Sequence, residues 1–172
     1  MNAIVICESI YGNTRAVAEA IAEGLGDARV ASPAELSPDA TEADLLVVGG
    51  PTHVHSMASA RTRRAAVQAA REGSTATAAT ADPALRDWLA ELTPSHHAYA
   101  AAFDTRLDRP EWLTGAASHG IAKRLRRHGY KVLDTSSFLV AAGEGPLVDG
   151  ELERARRWGA DLAATLPATV AS

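Results

Sequence analysis

The chain has 172 residues, a net charge of −4 and one cysteine. This length is enough for one domain with its own hydrophobic core, and we expect residues 1–172 to form a single domain. The lone cysteine excludes an internal disulfide, and the acidic net charge argues against a nucleic-acid-binding protein. The sequence has neither an apolar stretch of membrane length nor a leader pattern, and this predicts a cytoplasmic protein without membrane contact.

Apolar runs that are typical of strands buried on both faces alternate along the chain with segments of helical spacing. The predicted strands cover residues 3–7, 28–31, 43–50, 97–103 and 130–140. The predicted helices begin near residues 14, 58, 82, 118 and 149. Gly24 and Gly26 mark the end of the first helix, and Ser118 is the expected cap of the fourth. Cys7 lies in the first strand, where a buried and inert thiol is expected.

This alternation predicts an α/β fold, a three-layer sandwich with helices on both faces of a five-stranded parallel sheet. Right-handed crossovers leave few topologies, and we expect the strand order 2-1-3-4-5. In such sheets ligands bind beyond the carboxyl ends of the strands, where the direction of winding reverses. The site is therefore expected above the first and third strands, bordered by the loops over residues 8–14, 50–57 and 103–114.

The first of these loops, "SIYGNT" (9–14), joins the carboxyl end of a strand to the amino end of a helix. Free backbone amides and the helix dipole favour an anion at such a junction. Ser9 and Thr14 add hydroxyl donors, Asn13 adds an amide, and Gly12 allows a tight turn. The loop lacks the Lys of a nucleotide-triphosphate loop and the spacing of a dinucleotide loop. It predicts a cradle for one terminal phosphate, the alternative being an ordinary polar turn.

Two segments carry a family resemblance. "SIYGNTRAVAEAIAEGL" (9–25) resembles the phosphate-binding segment of the flavodoxin family, whose loop runs T/S-x-T/Y-G-N-T, and "DLLVVGGPTHVHSM" (44–57) resembles its second flavin-contacting loop. The resemblance implies a flavodoxin-like fold, non-covalently bound FMN and electron transfer. By position in these motifs, the phosphate would be held by Ser9, Ile10, Tyr11, Gly12, Asn13 and Thr14, and the isoalloxazine ring would be bordered by Pro51, Thr52, His53, Val54 and His55.

The second loop also suits a flat ligand on physical grounds. Gly49 and Gly50 are expected to let a ring approach the strand end closely. Thr52 offers a hydroxyl, and His53 and His55 offer flat rings with hydrogen-bond donors. The H-x-H spacing leaves metal binding open as an alternative, but two further ligands are not evident, and no metal site is predicted.

The third loop is expected to begin after Phe103, which would end the fourth strand. Phe103, Asp104, Thr105 and Arg106 are then candidates for contact with the cofactor. Arg106 would lie near the pyrimidine edge of the flavin or near its phosphate, where a cation raises the reduction potential. The alternative is a surface ion pair of Arg106 with Asp104 or Asp108, which would contribute little.

Three hypotheses for function follow. The first is an electron carrier that docks on a redox partner protein as a monomer or weak dimer. The second is a small FMN-dependent reductase that passes electrons from NAD(P)H to a quinone or similar acceptor, although no nicotinamide fingerprint is visible. The third is a flavodoxin fold that has lost FMN and serves as an interaction module. In the two hypotheses with bound FMN, the Trp112 side chain either covers the isoalloxazine ring or packs against its own loop.

Overall fold

The computed structural model describes residues 2–26, 28–39, 43–53, 56–57, 85–95, 98–142 and 145–167. The predicted helix over 58–71, the linker that follows it and the first residues of the helix predicted from 82 lie outside these ranges. No helix in the described ranges is long and apolar enough to cross a membrane.

The strands form a sheet whose main path is parallel. They are β1 (Ala3–Cys7), β2 (Arg29–Ala31), β3 (Leu45–His53), β4 (Ser56–Met57), β5 (Tyr99–Leu107) and β6 (Lys131–Val140). The parallel strands lie in the order β2-β1-β3-β5-β6, which is 2-1-3-4-5 when they are numbered along the chain, as predicted. The short β4 pairs antiparallel with the end of β3.

Helices cover both faces of this sheet. They are α1 (Asn13–Gly24), α2 (Leu85–Glu91), α3 (Glu111–Thr114), α4 (Ala117–Arg127) and α5 (Glu151–Thr165). Apolar residues of α1 and α5 pack on one face, and those of α2 and α4 pack on the other. The predicted three-layer sandwich is therefore confirmed.

Alternate strand residues supply the two halves of the core, since successive side chains of a strand point to opposite faces. On β1, Val5 packs toward α1 and α5, whereas Ile6 packs toward α2 and α4. Cys7 is 2% exposed, as expected, and burial raises the pKa of its thiol to about 12. A thiol with this pKa stays protonated and unreactive at neutral pH.

Two strands extend further than their apolar runs. β3 continues to His53, and β5 continues past Phe103 to Leu107. The prediction that Phe103 ends its strand is therefore wrong. The polar tail of β5 stays in the sheet because the long β6 offers partners up to Val140, with Arg106 opposite Leu139.

Helices α1 and α5 lie unusually close together. A Cβ atom added to Gly24 would overlap the carbonyl oxygen of Arg156, and one added to Gly159 would overlap that of Ile21. Gly24 is the last residue of α1, so it marks the end of this helix as predicted, and it also packs against α5. Gly26, with φ of 89°, follows the helix as the sequence suggested.

Candidate functional site

A cavity of about 250 Å³ opens at the carboxyl ends of the parallel strands, where the winding of the sheet reverses. It brings the three predicted loops together. Predicted site residues that line it are Ile10, Tyr11, Asn13, Thr14, Pro51, Thr52, Thr105 and Arg106, and two further lining residues, Leu107 and Val140, were not predicted.

The amino end of α1 forms one wall of the cavity. Gly12 is the N-cap residue with φ of 90°, a left-handed conformation that favours glycine, and no side chain caps the helix from this position. The Ser9 hydroxyl lies outside the cavity lining and accepts the Arg15 amide at 3.2 Å. The first turn of α1 contains no acidic residue. This end of the helix is therefore suited to an anion.

A fourth chain segment, which sequence reasoning missed, also reaches the site. The Asn13 side-chain amide donates to the carbonyl of Gly145 at 2.7 Å, so the turn after β6 is tied to the first loop. An antiparallel bridge between Val140 and Leu147 closes this turn. The predicted strand order could have indicated this contact, because it places the last strand next to β5, and both strands end at the same edge of the sheet.

The second predicted loop is largely strand. Thr52 lines the cavity, and its hydroxyl accepts the Ala117 amide at 2.9 Å, which caps the first turn of α4. His53 pairs with Ser56 in the short antiparallel ladder. Val54 and His55 lie outside the described residues, so their proposed contact with a ring and the H-x-H metal alternative stay predictions.

Phe103 lies in the core, not at the cavity. It is fully buried and meets the ring of Phe138 edge to face at 6.2 Å between centroids. The ring of Phe103 also fills the space that a Cβ atom on Gly49 would need. The expectation that Gly49 makes room for a ligand is therefore wrong, because the protein's own aromatic ring occupies that space.

Asp104 is fully buried between β5 and α4 and accepts the Ser118 amide at 2.8 Å. The predicted capping role of Ser118 is wrong, since α4 begins at Ala117 and the cap comes from this carboxylate and from Thr52. Burial raises the pKa of Asp104, and its hydrogen bonds with Ser118 and the nearby charge of Arg106 offset this only in part. Asp104 thus does not line the cavity, and it contributes to the site by holding the amino end of α4 against β5.

This burial predicts a pH-dependent stability. Because the folded-state pKa of Asp104 is raised above 3.8, its stabilising contribution is fully present below about pH 3.8 and is lost as pH rises through the folded pKa. Asp104→Asn keeps an oxygen acceptor for α4 but removes the charge. We expect the variant to be the more stable protein at pH 7, with an advantage that shrinks toward pH 4. Urea denaturation of both proteins at several pH values measures this, and a constant difference would contradict it.

The Arg106 guanidinium donates to the carbonyl of Arg109 at 2.7 Å and lines the cavity, with the exposed Leu107 beside it. In the short helix that follows, Trp112 is 81% exposed, so this side chain does not pack its own loop. The positive charge of Arg106 and the apolar side chain of Leu107 thus lie side by side at the edge of the cavity.

Comparison with known proteins identifies the fold. No protein-family model matches the sequence, and no curated protein matches it significantly. Among solved structures, an archaeal flavodoxin has 23% identity and a TM-score of 0.59, covering 95% of this chain and 97% of that one. A flavodoxin from Streptococcus pneumonia TIGR4 has 16% identity and a TM-score of 0.65, with 96% and 100% covered.

The same architecture also matches part of a larger protein. The Flv1 flavodiiron core from Synechocystis sp. PCC6803 has 19% identity and a TM-score of 0.59, and the match covers 95% of this chain but 35% of that chain. Identities at this level establish architecture rather than activity. With its strand order, its layers and these structural matches, the chain has a flavodoxin-like fold.

Proposed function

We propose that the cavity binds FMN without a covalent bond and that the protein carries electrons between redox partner proteins. The observation that carries this proposal is the meeting of three chain segments around one cavity at the switch point of the sheet. The sequence motifs of two of these segments resemble the flavin-binding loops of flavodoxins, and the fold agrees with that resemblance.

The donors along the cavity suit the phosphate end of such a cofactor. Thr14 and Asn13 stand at the amino end of α1, where the helix dipole is positive and no acidic side chain opposes an anion. Thr105 reaches the same wall of the cavity from the end of β5, and its hydroxyl lies beside that of Thr14. This set of donors matches a phosphate dianion, which offers only acceptor oxygens.

The volume of the cavity indicates that it would enclose only part of the cofactor. About 250 Å³ is below the roughly 300–1,000 Å³ that is usual for ligand pockets, so FMN would keep part of its surface at the opening. Leu107, 40% exposed, lies at this opening and would supply apolar contact. Bound FMN supplies the redox chemistry, whereas the residues described here bind it, orient it and set its electrostatic surroundings.

Titration of the apoprotein with FMN tests the proposal. We expect FMN fluorescence to change on binding and to saturate at one FMN per chain. Unchanged fluorescence, with no binding by calorimetry, would contradict the proposal and favour an interaction module without flavin. Rapid NADPH oxidation by the loaded protein alone, without an added reductase, would instead favour the small reductase over the carrier.

Arg106 gives a second, more specific expectation. Removing this cation by Arg106→Ala should lower the reduction potential of bound FMN by roughly 60 mV, because losing about 1.4 kcal/mol of stabilisation of the reduced flavin corresponds to about 59 mV for one electron. Arg109→Ala, which leaves the backbone carbonyl bound by Arg106 in place, is the matched control. Redox titration of both loaded variants measures the change, and an equal or higher potential in Arg106→Ala would place that cation away from the ring.

A further inference from the structure

Two threonine hydroxyls meet inside the cavity from elements that are far apart in the sequence. Thr14 stands in the first turn of α1 and Thr105 near the end of β5, and their Oγ1 atoms lie 2.7 Å apart. Thr14 is 3% exposed and Thr105 is 5% exposed, yet both line the cavity. The pair therefore forms a buried polar spot on the wall of the site.

The number of hydrogens in this pair determines what it can bind. Two hydroxyls carry two hydrogens, and their mutual hydrogen bond uses one of them. Neither hydroxyl has a further hydrogen bond to any other residue in the described part of the chain. One buried hydrogen is thus left to donate into the cavity, and an unsatisfied buried donor is costly. A ligand with acceptor oxygens would satisfy it.

Either hydroxyl could donate in this mutual bond, so two arrangements are open, and an anion at the amino end of α1 favours the one in which Thr105 donates. When Thr105 donates to Thr14, the free hydrogen belongs to Thr14, beside the amino end of α1 where an anion is favoured. Since hydrogen bonds in a chain polarise one another, the Thr14 hydroxyl becomes a better donor when it also accepts from Thr105. A lone Thr14 would have a hydroxyl free to rotate.

We infer that Thr105 is a positioning residue for the phosphate of the cofactor, acting through Thr14 rather than by its own contact. This inference rests on the proposed function, because it takes the anion to be the phosphate of FMN. It adds to that proposal that the phosphate site depends on residues of both α1 and β5. A hydrogen bond that only connected α1 to β5 would instead affect the binding of every ligand of the cavity equally.

The test compares Thr105→Val, which deletes the hydroxyl at nearly constant shape, with Thr105→Ser, which keeps it. Thr135→Val, the same change on the neighbouring β6 but outside the cavity lining, is the matched control. Each apoprotein is titrated with FMN and with riboflavin, which has the same ring and no phosphate. The thermal shift caused by inorganic phosphate is measured in parallel.

We expect Thr105→Val to weaken FMN binding about tenfold, with little effect on riboflavin, and to reduce the thermal shift by phosphate. Thr105→Ser and Thr135→Val should bind FMN like the wild type. Equal losses for both flavins, or a serine variant as weak as the valine variant, would overturn the inference. If the wild type binds neither flavin, the proposed function fails, and the phosphate shift alone decides whether the threonine pair serves an anion: a shift lost in Thr105→Val supports this role, and an unchanged or absent shift overturns it.

Discussion

Gly159→Ala is expected to destabilise the protein by about 2–3 kcal/mol, although alanine is the better helix former. A methyl group at Gly159 would overlap the carbonyl oxygen of Ile21 in α1, and backbone cannot rotate away as a side chain can. Gly24→Ala should have a similar effect, because its methyl group would overlap the carbonyl oxygen of Arg156 in α5. Either change must push the two helices apart, which opens the core beneath them.

Urea denaturation of the apoprotein measures these losses. The double variant should lose less than the sum of the single losses, because one separation of α1 and α5 relieves both overlaps. Ala164→Gly on the exposed side of the last turn of α5 is the control for helix propensity, with an expected loss below the roughly 0.5–1 kcal/mol of a helix interior. A Gly159→Ala protein as stable as the wild type would show that the helices lie further apart than the structure has them.

Local patterns determined which parts of the fold could be predicted. The apolar run of β1 and the helical spacing of α1 identified both elements, because hydrophobic periodicity is a property of neighbouring residues. The polar end of β5 was missed, since it stays in the sheet only through pairing with β6. The role of Gly49 was also missed, because Phe103 lies far away in the sequence and becomes its neighbour only when β3 pairs with β5.

The candidate site shows the same division. Topology correctly indicated which strand ends would meet, so Thr14, Thr52 and Thr105 were predicted near one another and line one cavity. Their partners could not be predicted, since hydrogen bonds over such separations depend on side-chain direction after packing. Asp104 illustrates the limit, because a polar residue after an apolar run suggests a loop and here is a buried helix cap.

The combined change Ser9→Ala and Thr14→Ala should weaken FMN binding by roughly 1.5–3 kcal/mol, since one hydrogen bond to a charged group contributes about that much and only the Thr14 hydroxyl lines the cavity. This is a loss of about one to two orders of magnitude in affinity. Thr14 should account for most of it, because its hydroxyl lines the cavity, whereas the Ser9 hydroxyl lies outside the lining and holds the Arg15 amide.

Calorimetry with FMN and with riboflavin separates this effect from a general loss of structure. Riboflavin has no phosphate, so its affinity should be nearly the same in the double variant and in the wild type. Thr165→Ala, which removes an exposed hydroxyl bonded to its own helix, should change neither affinity. Wild-type FMN affinity in the double variant would contradict a phosphate site at the amino end of α1. An equal loss of riboflavin binding would show instead that the two hydroxyls shape the whole cavity, because only contacts to the phosphate distinguish the two ligands.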